Sequence, residues 1–127
     1  MAKIAVVEDN TAVREELCGF IAKYAQESGR KLDVTPFADG SQIVEPYRPG
    51  FDIIFLDIEM PRLGGMPTAE RIRQLDPEVV LIFVTNMAQY AIRGYEVDAL
   101  DFVLKPVSYY QFSTKLERAL QRLSLIH

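Results

Sequence analysis

The chain predicts an α/β fold, a (βα)5 doubly wound domain on a five-stranded parallel sheet with strand order 2-1-3-4-5. Three observations predict it. Residues 4–7, 53–56 and 79–84 are short, uniformly apolar runs rich in β-formers. Such runs read as strands buried on both faces, which is the environment of a parallel sheet. Stretches with apolar residues at helical spacing alternate with these runs, so each connection is a right-handed crossover and helices cover both faces. Residues 32–37 form a weaker strand with Asp33 and Pro36, which suits an edge. That edge leaves strands 1 and 3 side by side where the winding reverses.

Each element has its own local signal. Residues 3–7 give the first strand, ending in Glu8-Asp9-Asn10. Val13, Leu17, Phe20, Ile21 and Tyr24 mark the first helix, with Asn10 or Thr11 as cap and Ser28-Gly29 as stop. After the second strand, Asp39-Gly40-Ser41 turns into a short helix around Ile43, Val44 and Tyr47, broken by Pro46. The third strand, residues 53–57, is stopped by Met60-Pro61 and Gly64-Gly65. Met66, Ala69, Ile72 and Leu75 mark a third helix, with Pro67 tolerated in its first turn and Asp76-Pro77 at its end. Residues 79–84 lead to Thr85-Asn86, and a fourth helix from about residue 87 to 93 closes at Gly94. Residues 100–104 lead to Lys105-Pro106. Ser108 with Gln111 forms a capping box for the last helix, whose core face is Phe112, Leu116, Ala119, Leu120 and Leu123.

Composition narrows the function. A chain of 127 residues, 49% apolar and 25% charged, makes one domain with a real core. A net charge of −4 argues against unspecific nucleic-acid binding. Cys18 has no partner for an internal disulfide and lies on the apolar side of the first helix, where it reads as a small buried hydrophobe. No signal peptide or long apolar span is present, so a soluble cytoplasmic domain is expected. The sole histidine is the last residue, His127. Ser-His-Asp and Cys-His catalysis are thereby excluded, as are His-rich metal sites.

The chemistry gathers at the strand ends. Strand 1 delivers Glu8 and Asp9, strand 3 Asp57, strand 4 Thr85 and strand 5 Lys105, while strand 2 gives nothing chemical. Ligands of open α/β sheets bind just outside these carboxyl ends. Turn and cap roles explain each polar residue singly, but not their collection at one edge. Three clustered carboxylates repel, and a divalent cation removes that penalty. An all-oxygen site with few protein ligands suits Mg²⁺, or Mn²⁺ in its place. A cation on Asp9 and Asp57, the Lys105 ammonium and the Thr85 hydroxyl could together neutralise a phosphoryl group in transfer to Asp57. No glycine-rich phosphate loop is present, so nucleotide binding is not supported.

Val7-Glu8-Asp9-Asn10, Phe55-Leu56-Asp57-Ile58-Glu59-Met60-Pro61, Gly65-Met66, Val84-Thr85-Asn86 and Phe102-Val103-Leu104-Lys105-Pro106 resemble the receiver domain of bacterial two-component response regulators. The resemblance covers nearly the whole chain and implies the flavodoxin/CheY-like fold. It implies that Asp57 accepts a phosphoryl group from a sensor histidine kinase. Asp9 would bind the metal directly, Glu8 through water, and Glu59 through its backbone carbonyl. Lys105-Pro106 would be cis, and Thr85 and Phe102 would form the switch. Phe102 stands where many receivers have tyrosine, and Asn86 where a small alanine is common. Glu59 and Met87 would flank the phosphoryl group. Residues 90–102 are similar to receivers that precede a LytTR-type DNA-binding domain, so residues 1–127 would be the receiver and such an output domain would follow. By the same resemblance the protein is no enzyme on a separate substrate, but a phosphoacceptor that also loses its own phosphoryl group. It would touch DNA only through that separate domain. Tyr90, Tyr95, Tyr109 and Tyr110 make the fourth helix, fifth strand and fifth helix a candidate face for phosphorylation-dependent homodimers.

Two rivals remain at this point. A haloacid-dehalogenase-type phosphatase also sets Asp, Thr and Lys at strand ends, but needs an early Asp-x-Asp, whereas Asp57-Ile58-Glu59 is mid-chain. A phosphorylation-independent interaction module would share the fold and not need the site.

Overall fold

A computed structural model describes residues 1–126, apart from the side chains of Tyr90, Ala91 and Ile126; His127 lies outside the described residues. The elements are β1 (Ala2–Val7), α1 (Thr11–Ser28), β2 (Leu32–Phe37), α2 (Gly40–Val44), β3 (Ile53–Asp57), α3 (Gly65–Leu75), β4 (Val80–Thr85), a 3-10 segment (Ala88–Val97), β5 (Asp101–Leu104) and α4 (Tyr109–Ile126). The strands form one sheet in the order β2-β1-β3-β4-β5, every pair parallel, as the sequence predicts.

Strand residues alternate between two cores. Ile4, Val6, Ile53, Phe55 and Ile82 pack under α1 and α4, with the Phe55 and Phe112 rings 4.6 Å apart between centroids. Ala5, Val7, Ile54, Leu56 and Leu81 pack on the other side under α2 and α3. Every residue of β3 and β4 is therefore buried, which is why their sequences show no polar alternation. β2 alternates with exposed positions and carries Pro36, as an edge strand allows.

The ends are held as the sequence suggests. Asn10 Oδ1 accepts from Val13 N at 3.0 Å at the head of α1, and Gly29 closes that helix with φ of 75°. Ser108 Oγ accepts from Gln111 N at 3.2 Å at the head of α4. Cys18 is half-buried against the core beneath α1, and burial pushes its thiol pKa up.

Two expectations need correction, and one feature goes beyond them. The fourth helix is a 3-10 segment that runs through Gly94 to Val97 instead of an α-helix closing at Gly94. No side chain caps its start at Met87, and glycine in its interior weakens an α-helix, so the tighter winding wins. Its i,i+3 pair Arg93–Glu96, at 3.5 Å, suits the 3-10 repeat, and Asp98 ends it in the left-handed region with φ of 52°. The second helix stops at Val44; Tyr47 lies beyond it and sends its hydroxyl to Asp76 Oδ2 at 2.8 Å. Finally, Glu45-Pro46 is cis as well as the expected Lys105-Pro106.

Arg73, near the end of α3, ties the amino-terminal side of the sheet together. Its guanidinium donates to the carbonyls of Val97 (2.9 Å), Asp76 (3.2 Å), Pro77 (3.0 Å), Val79 (2.8 Å) and Asp98 (3.2 Å). The planar fork of arginine can serve carbonyls from several directions, which a lysine ammonium cannot. Arg73→Met is expected to lower stability by about 2 kcal/mol, from lost charge-assisted hydrogen bonds. Urea unfolding would show that loss, and hydrogen exchange would show Ala99 N–H, bonded to Gly94 O at 2.9 Å, losing protection.

Candidate functional site

Parallel pairing brings the strand ends into line. Val7 pairs with Leu56 and Asp57 with Val84, while Thr85 pairs with Leu104. Glu8, Asp57, Thr85 and Lys105 therefore emerge at one edge by register alone. Glu8, Asp9 and Asp57 each offer a carboxylate oxygen, and these oxygens lie within 4.8 Å of one another. Lys105 reaches in from the end of β5: its Nζ is 2.6 Å from Glu8 Oε1 and 3.4 Å from Asp57 Oδ1.

The acids differ in setting. Glu8 is 1% exposed and Asp57 4% exposed, whereas Asp9 faces solvent. Glu8 Oε2 accepts from Asn10 N at 3.1 Å and Asp57 Oδ1 from Glu59 N at 3.3 Å. Glu8 Oε1 is buried, and Lys105 approaches it at too acute an angle for an aligned hydrogen bond. A buried oxygen without an aligned donor beside two further carboxylates is a hard-oxygen donor set of the kind a divalent cation takes.

Thr85 is buried at the end of β4, and its Oγ1 accepts from Met87 N at 3.0 Å. Phe102 is half-buried in β5 beside Phe83, with which it is in register, and packs on the α2–α3 core. Glu59, Asn86 and Met87 lie in the loops after β3 and β4; the Glu59 and Asn86 side chains are exposed and Met87 is half-buried.

Sequence reading missed the supporting roles of three residues. Arg14, one turn into α1, donates to the carbonyls of Glu8 at 2.8 Å and Asp9 at 3.4 Å, holding the acidic turn. Gly65 packs against the end of β3: a Cβ there would run into the Asp57 carbonyl oxygen and come 2.7 Å from Ile58 Cα. Asp39, which sequence gives only a turn role, is 6% exposed and accepts from Ser41 N, Arg62 N and Leu63 N. The Asp39-Gly40 pair was the available signal. It shows a turn, but not its partner loop.

Burial, and then the Glu8 charge, push the Asp57 carboxyl up to about 7, with Lys105 pulling the other way. For Lys105, burial would lower the ammonium pKa, but Glu8 and Asp57 outweigh it and raise it. An acid whose folded pKa lies above its unfolded value stabilises below the unfolded pKa, and that stability is lost as pH rises through the folded one. Metal-free protein should lose stability between pH 3.8 and about 7 on account of Asp57. Asp57→Asn is expected to remove this trend and to be more stable at pH 8 by on the order of 4 kcal/mol. Urea unfolding in EDTA across that range measures it, and parallel curves for the two proteins would refute it.

The family profile of the response regulator receiver domain matches residues 4–117. The chain is 34% identical over 127 residues to the transcriptional regulatory protein BtsR of Escherichia coli (strain K12), covering 97% of this chain and 48% of the relative. It is 32% identical to the sensory transduction protein LytT of Oceanobacillus iheyensis, over 95% of this chain and 49% of the relative. The chain thus spans about half the length of these curated relatives. Among solved structures, the non-phosphorylated HemR receiver domain from Leptospira biflexa has a TM-score of 0.81 at 29% identity, covering 94% of each chain. The BeF3-activated DrrB receiver domain has a TM-score of 0.77 at 26% identity, covering 95% of this chain and 98% of its own. With its strand order, its acidic edge and these relatives, the chain belongs to the response regulator receiver domain family of two-component systems.

Proposed function

We propose that the protein is a phospho-accepting receiver in which Asp57 takes a phosphoryl group from the phosphohistidine of a sensor histidine kinase. The observation that carries this reading is a buried Asp57 at the end of β3, inside the acid cluster and within 3.4 Å of the Lys105 ammonium. An Asp57 carboxylate oxygen forms the new P–O bond as the P–N bond to the histidine breaks, its electron pair returning to the imidazole. Lys105 neutralises one equatorial oxygen and the Thr85 hydroxyl donates to another. Asp9, Asp57 and the Glu59 carbonyl would hold Mg²⁺, or Mn²⁺, with Glu8 acting through water; the bound cation would offset phosphoryl charge. Thr85 and Phe102 then carry the switch.

The same reading assigns the partner and the output. The relatives named as transcriptional and sensory transduction regulators, at about twice this length, support a LytTR-type DNA-binding output controlling transcription. DNA contact would run through that domain alone. No described helix is long and apolar enough to cross a membrane, and a cytoplasmic setting goes with the kinase partner. The protein is a regulatory phosphoacceptor, with loss of its own phosphoryl group as its one hydrolytic step. The family match, to a receiver over residues 4–117, speaks against a haloacid-dehalogenase-type phosphatase.

Intact-mass analysis after incubation with acetyl phosphate tests the reading. The expected result is a gain of one phosphoryl group that needs Mg²⁺ and vanishes in Asp57→Asn. No gain under any condition would leave a phosphorylation-independent interaction module.

The dimer face is partly free. Tyr95 is 92% exposed, Tyr110 80% and Ile92 79%, all on the 3-10 segment and α4. Tyr109 is spent elsewhere: it packs edge-on to Phe20, lies under Lys23 Nζ at 4.2 Å and bonds Glu27 at 2.5 Å. The Tyr90 side chain lies outside the described residues. Phosphorylation is expected to strengthen self-association through this face, and Tyr110→Glu to weaken it. Sedimentation velocity that is identical with and without beryllofluoride at high concentration would sink this.

A further inference from the structure

β2 gives no side chain to the acidic edge, yet its end touches both sides of it. Phe37 O, the last carbonyl of β2, accepts from Glu8 N at 3.0 Å and so fixes the backbone of the acidic turn. Two residues later, the Asp39 carboxylate reaches across to the loop between β3 and α3. Its Oδ1 accepts from Arg62 N at 3.1 Å and its Oδ2 from Leu63 N at 3.1 Å. Oδ2 also accepts from Ser41 N at 2.9 Å, so Asp39 caps α2 with the same group.

The neighbours leave this latch little play. A Cβ on Gly40 would stand 2.7 Å from Leu63 O, so α2 and the loop are in backbone contact. Thr68 Oγ1 donates to that carbonyl at 3.4 Å. At the loop's far end, Gly65 N donates to Ile58 O at 2.8 Å. Residues 59–61 are thus suspended between two fixed points, Ile58 and Arg62. A cap needs one acceptor for the helix N–H; Asp39 turns its other bonds on a loop 23 and 24 residues away. Burying a carboxylate raises its pKa, but the Ser41, Arg62 and Leu63 N–H groups together hold Asp39 below its ordinary value. The group stays charged where the charge is used.

We propose that Asp39 is a positioning residue for the cation site, latching the β3–α3 loop from which Glu59 would offer its carbonyl. This rests on the phospho-accepting reading above, and it adds a residue that touches neither cation nor phosphoryl group. Outer partners that orient metal ligands typically change affinity by about 10- to 100-fold when removed. The latch orients one ligand of the set, so the lower end of that range applies.

The experiment is Mg²⁺ titration by calorimetry on wild type, Asp39→Ala and Asp39→Asn, well below each protein's unfolding temperature, with hydrogen exchange on the same samples. Wild type is expected to bind Mg²⁺. Asp39→Ala should raise Kd about tenfold and speed exchange at Arg62 and Leu63. Asp39→Asn keeps one acceptor oxygen and turns an NH₂ toward the loop's N–H groups, so it should fall between the two. It also decides the matter if Asp39→Ala does not fold. A purely structural role would lower the unfolding temperature and leave Kd unchanged, since the folded fraction would bind as before. Wild-type affinity in both variants, with faster exchange confined to α2, would overturn the latch and leave the phospho-accepting reading intact. Wild type that binds no Mg²⁺ would overturn both.

Discussion

Negative charge held out of water at the carboxyl ends of β1 and β3 is the constraint from which the rest of the structure follows. With every group ionised, Glu8, Asp9 and Asp57 with Lys105 sum to three negative charges and one positive, a net of −2 within a few ångströms. Two of the acids are buried, so water cannot screen them. Left to relax, such a cluster would spread or neutralise, and the raised pKa of Asp57 shows the neutralising tendency. It is held instead by the sheet. Asp57 is itself in register with Val84, and the Glu8 backbone, directly after β1, is held by its N–H on Phe37 O at 3.0 Å. The cations that answer the cluster come from opposite sides, Lys105 from β5 to the carboxylates and Arg14 from α1 to the carbonyls behind them.

A charged centre of this kind needs a rigid frame, and charged side chains bonded to backbone supply much of it. Arg73 gathers five carbonyls at the amino-terminal side of the sheet. Asp39 gathers three N–H groups at the carboxyl side. Both join segments that the sheet does not: the α3–β4 loop to the 3-10 segment in one case, α2 to the β3–α3 loop in the other. A bond from an ionised group is roughly twice as strong as a neutral one, and it fixes backbone rather than a side chain.

The sheet was legible in the sequence because parallel strands buried on both faces must be apolar throughout, as residues 53–56 and 80–84 are. Once strand order is known, the gathering of Glu8, Asp57, Thr85 and Lys105 is a matter of register, so the site was legible too. The latches were not. Asp39 and Arg73 act on carbonyls and N–H groups that carry no sequence identity, and nothing in Arg62 or Leu63 as residue types announces a partner at Asp39. The 3-10 segment escaped for another reason. Ala88 to Val97 has the apolar spacing of a helix, but the choice between i+3 and i+4 bonding is set by a start without a side-chain cap and an interior Gly94. Those differences amount to about 1 kcal/mol, too little for a periodic pattern to reveal.

On the proposed reading, that marginal segment is where a phosphoryl group on Asp57 would act at a distance. Its far end is pinned: Val97 and Asp98 give their carbonyls to Arg73, and Ala99 N bonds Gly94 O. Its near end hangs on Thr85, whose Oγ1 accepts from Met87 N at 3.0 Å. A hydroxyl keeps one proton to donate while it accepts. On the proposed reading that proton goes to a phosphoryl oxygen on Asp57, which requires the Thr85 side chain to turn. Met87 N–H must then follow the oxygen or lose it, and either displaces the first turn of a segment that no side chain caps. With the far end fixed by Arg73, the displacement cannot run out through Asp98. It has to appear in between, where Ile92 and Tyr95 stand exposed. On that reading one hydroxyl and one guanidinium would turn a charge change at the sheet edge into a change of surface.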